Sequence, residues 1–124
     1  VRKSKIPFLS LFSFLIILVL SFIGSISFVS KINFDIEYGD KYIHYCMYFI
    51  FTLILLFEIN SKNFKIKFIL LKLTFLAIFL SGIIEIMQEY LTDHRSGEWM
   101  DFLANSLGSL TALLFFITFK KFLK

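Results

Sequence analysis

Residues 68–91 read FILLKLTFLAIFLSGIIEIMQEYL, and this stretch decides the fold. Its charges stand near the ends, Lys72 at one and Glu85 and Glu89 at the other, around an apolar middle. A helix needs about 20 mainly apolar residues to cross a bilayer core at about 1.5 Å per residue, so the run predicts a transmembrane helix. Residues 7–29, 42–59 and 99–119 have the same character. None of the four runs alternates at period two, as the segments of a spanning β-barrel do. Over 124 residues, 58% hydrophobic content and a mean hydropathy of +0.82 exceed what a soluble core of this size needs. The expectation is all-α: an integral membrane antiparallel bundle of four transmembrane helices, one domain over residues 1–124. The connections at 30–41, 60–67 and 92–98 are short and hold no separate soluble catalytic domain.

Orientation follows from Lys and Arg, which stay cytoplasmic in short loops while Asp and Glu contribute little. Arg2, Lys3 and Lys5 precede the first run, Lys62, Lys65 and Lys67 fill the middle loop, and Lys120, Lys121 and Lys124 follow the last run. The other two loops carry Lys31 and Lys41, and Arg95. Both termini are therefore expected in the cytoplasm. The basic start resembles a signal peptide, but a signal's apolar region covers only about 7–15 residues. Here the run continues through Ile23, Ile26, Phe28 and Val29, so a retained helix is expected. The net charge of +4 lies in the flanks beside anionic lipid and calls for no nucleic-acid partner.

Several features have structural readings. The eighteen Phe are spread along every span as lipid-facing and packing bulk. Cys46, the single cysteine, forms no intrachain disulfide and no cysteine zinc motif. Glu58 and Lys72 read as boundary residues, with Glu58 four residues from Lys62. Trp99 with Tyr90 reads as an interfacial anchor, and Glu89, Asp93, His94 and Glu98 as exposed.

The remaining polar residues fall on three helical faces, because positions three or four apart share a face. Asp40, His44 and Tyr48 make one stripe at the start of the second helix. Glu85 and Gln88 make another at the end of the third, with Ser81 and Gly82 one turn deeper. Asp101, Asn105, Gly108 and Ala112 share a face of the fourth, where Asn and small residues suit close membrane packing. Gly82, Gly108 and Ala112 are expected to pack helices. Stripes pointing into lipid would leave carboxylates and an imidazole without partners at a cost of several kcal/mol, so the three faces are expected to meet. Asp40 also suits an N-cap, and Lys41 either snorkels or neutralises a carboxylate. His44 is a core imidazole, a proton carrier or a ligand. Arg95 either grips an anion with its planar fork or clamps Asp101 or Glu85.

The blocks DKYIHYCMY at 40–48, EIMQ at 85–88 and RSGEWMDFLANSLG at 95–108 occur in an order that resembles the VanZ-like family of small bacterial membrane proteins. Ala112 stands where many relatives have a second glycine, and the first span and both termini add nothing to the likeness. The resemblance implies a multi-pass protein of the bacterial cytoplasmic membrane and, through one member, a link to teicoplanin resistance.

Three functions fit these residues. One is recognition of a lipid-linked or lipoglycopeptide molecule at the outer leaflet through Arg95, Lys41 and the carboxylates. A second is a membrane-embedded hydrolase or transferase, with Glu85 or Asp101 as general base, His44 as proton shuttle and water as attacking group. The third is a structural protein whose polar residues lock the bundle. His44, Asp40, Glu85 and Asp101 are mixed nitrogen and oxygen donors, but no HExxH-like spacing supports a metal. No metal or cofactor is expected, and membrane lipid is the expected partner.

Overall fold

The computed structural model describes residues 7–22, 39–60, 68–91 and 99–122. They form four helices: α1 (Phe8–Phe22), α2 (Gly39–Asn60), α3 (Ile69–Leu91) and α4 (Trp99–Phe122). Three of them, α2, α3 and α4, are long and apolar enough to span a membrane. At 15 residues α1 is about 22 Å long, short of a hydrocarbon core of about 30 Å. The expected continuation of this first span to residue 29 lies outside the described residues.

α2 and α4 make the most extensive pairing and run parallel. Lys41 meets Asp101, His44 meets Asn105 and Thr52 meets Ser109, in ascending order along both helices. α3 runs against them, with Leu70 and Leu73 beside Leu56, Leu113 and Phe116 at one end and Glu85 beside Asn105 at the other. α1 packs on α2 and α3, where Ile17 joins Tyr48, Phe51, Leu55, Ala77 and Ile84 in a buried apolar cluster. The α1 N-terminus is held by Glu58 of α2. Its carboxylate accepts from the Leu9 and Ser10 amides at 3.1 and 2.8 Å and from Ser10 Oγ at 2.6 Å. Those first-turn amides have no acceptor inside their own helix, and an anion there also complements the helix dipole. Glu58 was expected to pair with Lys62, which lies outside the described residues.

Polarity is distributed in the reverse of a water-soluble bundle. Thr52, Thr74, Ser81, Gln88, Asn105 and Ser109 are buried, while Phe75, Phe79, Ile86, Leu107 and Leu114 face outward. Several interior hydroxyls are spent on their own helix, Thr74 donating to the Leu70 carbonyl and Ser81 to that of Ile78. Thr52 and Ser109 instead bond across α2 and α4 at 2.8 Å.

Gly108 explains how that bond forms. A Cβ at this position would press into the Tyr45 carbonyl oxygen and lie 3.1 Å from the Phe49 amide nitrogen. The α4 backbone therefore rides directly on the α2 backbone, and Ala112, fully buried one turn on, continues the small-residue seam. Gly82 differs, since its added Cβ would meet the Phe102 ring at 3.2 Å, and a ring can move. Gly108→Ala is accordingly expected to destabilise the bundle by about 1–3 kcal/mol through overpacking. Gly82→Ala should cost less than half of that. Thermal unfolding of both variants in detergent checks this, and equal effects would mean that the α2–α4 approach is not close.

Candidate functional site

The site lies at the end of the bundle where α2 and α4 begin and α3 finishes. Periodicity puts its residues on inward faces. Lys41 and His44 occupy the first two turns of α2, and Asp101 and Asn105 the first two turns of α4. Glu85 and Gln88 come from the last two turns of α3. His44, Tyr48, Glu85, Gln88, Asp101 and Asn105 are all buried.

The contacts form a chain across three helices. Lys41 Nζ donates to Asp101 Oδ1 at 2.6 Å, with 15% and 10% of the two side chains exposed. The ion pair therefore sits at the rim, not deep inside. Asp101 Oδ2 is 3.5 Å from His44 Nε2. On the other side of the ring, His44 Nδ1 is 3.2 Å from Asn105 Oδ1, and Asn105 Nδ2 donates to Glu85 Oε1 at 3.5 Å. Glu85 Oε1 is also 4.0 Å from His44 Nδ1.

This wiring fixes the tautomer. The Asn105 amide nitrogen faces a carboxylate, so its oxygen faces the imidazole and can only accept. Nδ1 therefore carries a proton, which leaves Nε2 as the ring atom turned toward Asp101. A second proton on Nε2 makes Lys41, His44, Asp101 and Glu85 electrically neutral as a set. Without it, Nε2 presents a lone pair toward Asp101, while Glu85 approaches the ring from the Nδ1 side. One ligand atom each from His44, Glu85 and Asp101 lies within 4.8 Å of the others. The arrangement can thus hold a proton or a cation between acids, the chemistry needed for charge transfer or for binding a polar group.

Tyr48, one turn below His44, is 1% exposed, and its hydroxyl makes no hydrogen bond among the described residues. It lies within electrostatic range of Glu85. The side chains of Asp40 and Arg95 fall outside the described residues, so the capping and anion-gripping roles expected of them have no geometry here. Of the two roles expected for Lys41, neutralising a carboxylate is the one its geometry serves. Exposed Tyr42, Tyr90 and Trp99 surround the same end of the bundle. Thr52 and Ser109 extend the network one turn inward and were not singled out from the sequence, although each continues a stripe by four residues, from Tyr48 and from Asn105.

Comparisons with protein-family models, with curated proteins and with solved structures find no match to this chain.

Breaking the rim pair leaves a charge without its nearest partner. Lys41→Met and Asp101→Asn are each expected to destabilise by about 2 kcal/mol, below the roughly 3–5 kcal/mol of a fully buried pair because this one retains some exposure. The double variant Lys41→Met/Asp101→Asn should cost at least about 1 kcal/mol less than the sum of the singles. Chemical unfolding in detergent provides the cycle, and strict additivity would show that the two residues do not act together.

Proposed function

We propose that this chain is a multi-pass protein of the bacterial cytoplasmic membrane, VanZ-like in kind, that engages a lipid-linked or lipoglycopeptide molecule at the outer leaflet. The observation that carries the reading is the placement of the polar cluster within two turns of helix ends that also bear Tyr42, Tyr90 and Trp99. Amphipathic aromatic rings favour headgroup level, so the cluster lies where a polar group attached to a lipid would be met. Lys62, Lys65 and Lys67 join the opposite ends of α2 and α3, which makes those ends cytoplasmic and the cluster's end external. Residues 7–29 then provide the first of four spans, with both termini cytoplasmic.

In this account Arg95, at the mouth of the cluster by sequence, supplies the bidentate contact to a phosphate or carboxylate. Lys41 is engaged with Asp101 and sets the local charge. A second reading, a membrane-embedded hydrolase or transferase, is favoured by one specific observation. His44 stands between Asp101 and Glu85 with one nitrogen committed to Asn105, the posture of a proton shuttle.

The deciding experiment is teicoplanin susceptibility of a sensitive host expressing the chain at matched membrane levels. Wild type is expected to protect. Arg95→Lys should lose most of the protection while the folded amount stays the same, and Glu85→Gln and Asp101→Asn, compared at matched membrane levels, should lose it as well. Loss of protection together with loss of protein marks a structural cluster, and absence of protection by wild type removes the resistance role. Turnover of a lipid-linked phosphate ester by purified protein, abolished in His44→Gln, selects the enzyme.

A further inference from the structure

We infer that His44, Glu85 and Asp101 form a binding site for one divalent transition-metal ion of the Zn2+ or Mn2+ class. The donor set is one imidazole and two carboxylates, the mixed nitrogen and oxygen chemistry such ions take. No motif spacing announces it, because each ligand comes from a different helix and the set exists only once α2, α3 and α4 are packed.

The geometry is close to what a metal requires. With bonds of about 2.0–2.2 Å to nitrogen and oxygen, tetrahedral ligand atoms stand about 3.3–3.5 Å apart. His44 Nε2 and Asp101 Oδ2 are already 3.5 Å apart. The complete trio lies within 4.8 Å, so closing on an ion requires side-chain shifts of about 1 Å, without a change of helix register.

The surroundings are those of a supported ligand set. A metal-bound histidine ordinarily gives its other ring proton to an acceptor that fixes its tautomer and orientation, and bound carboxylates are themselves hydrogen-bonded. Here Asn105 Oδ1 takes the His44 Nδ1 proton, leaving Nε2 for the ion. The same amide donates to Glu85 Oε1. Lys41 donates to Asp101 Oδ1 and leaves Oδ2 on the side of the imidazole. His44 and Asp101 are thus each oriented by a hydrogen bond through an atom other than the one turned toward the site, and Glu85 is held by Asn105.

An independent observation comes from Tyr48. A buried hydroxyl with no hydrogen bond among the described residues is costly in a low-dielectric interior. Tyr48 lies on the His44 stripe and within electrostatic range of Glu85. Water in a fourth coordination position gives this hydroxyl a partner.

Charge points the same way. A divalent ion with a neutral imidazole, two carboxylates and the Lys41 ammonium leaves one positive charge. Ionisation of a metal-bound water, whose pKa on Zn2+ can fall to about 7, removes it. The ion takes the place of the second imidazole proton and keeps the cluster near neutrality.

This inference concerns the cluster of the proposed function but does not depend on its ligand. Metal-free wild type with full teicoplanin protection sinks the metal site alone, and metal binding without protection sinks the envelope role alone.

The test uses the full chain in lipid nanodiscs, stripped with chelator and dialysed against Zn2+ or Mn2+, with Mg2+ for comparison. Metal content per chain and competition against a fluorescent chelator give stoichiometry and affinity. Wild type should bind one Zn2+ or Mn2+ per chain and gain thermal stability from it. His44→Gln and Glu85→Gln should lose at least about 100-fold in affinity, and Asn105→Ala about 10- to 100-fold through the loss of orientation. Thr118→Val, at the far end of α4 where its hydroxyl donates to the Leu114 carbonyl, and His94→Gln, outside the trio, should bind as wild type. Folded wild type that takes up neither ion, or His44→Gln that binds as tightly and is stabilised as much as wild type, overturns the site.

Discussion

The close approach of α4 to α2 at Gly108 is the constraint on which the other contacts depend. Two helices whose backbones touch can be joined by the shortest polar side chains, as Thr52 and Ser109 join this pair, and His44 meets Asn105 across the same seam. A wider seam would place those groups beyond hydrogen-bond distance and demand longer residues or water. The contact also fixes register. With Gly108 seated between Tyr45 and Phe49, Asp101 and Asn105 fall opposite Lys41 and His44, and α3 adds Glu85 from the third side. Packing decided near the middle of two helices thus sets the chemistry at their ends.

The partition of polarity shows which forces maintain this arrangement. In the bilayer setting proposed for the chain, apolar residues outside and polar residues inside leave no hydrophobic drive for the helices to associate. Association then rests on close packing and on hydrogen bonds that lipid cannot replace. The seam between α2 and α4 supplies both. α1 is attached differently, by apolar packing through Ile17 and Phe14 and by the Glu58 carboxylate at its first turn. Among the described residues it touches the polar site only through the Tyr48 ring, and Glu58 lies at the opposite end of α2 from His44. The cluster is both the mechanical tie of the three longer helices and the only described place where ionisable groups of opposite sign converge beneath the aromatic rim.

Much of this was legible in the sequence because two of its signals are local. Apolar run length placed α2, α3 and α4 within a few residues of their ends, 42–59 against Gly39–Asn60 and 99–119 against Trp99–Phe122. Spacing by three and four put His44 with Tyr48, Glu85 with Gln88 and Asp101 with Asn105 on shared faces, whereas Lys41 was not placed by it. Partner choice was not legible. Lys41 and Asp101 are 60 residues apart in sequence, and only the Gly108 contact decides that they, and not Lys41 and Glu85, form the short ion pair. The Glu58 cap was hidden for a related reason. A local rule offers Glu58 only neighbours such as Lys62, which lies outside the described residues, and gives no sign of the amides 48 and 49 residues away that its carboxylate serves. His44, Glu85 and Asp101 were legible as mixed donors together with Asp40, but not that three separate helices bring those three within 4.8 Å, since ligand motifs read from sequence require donors on one segment.

The central claim is that one imidazole is held by groups from three helices, and the His44 ring itself reports on it. Nitrogen-15 NMR of histidine-labelled protein in lipid nanodiscs, with His94→Gln to leave a single signal set, reads the state of both ring nitrogens. A protonated Nδ1 in slow exchange is expected, with ring shifts that move on Asp101→Asn in α4 and on Glu85→Gln in α3 but not on Ser13→Ala in α1, whose hydroxyl bonds within its own helix. A ring that exchanges freely and ignores both substitutions would contradict the account.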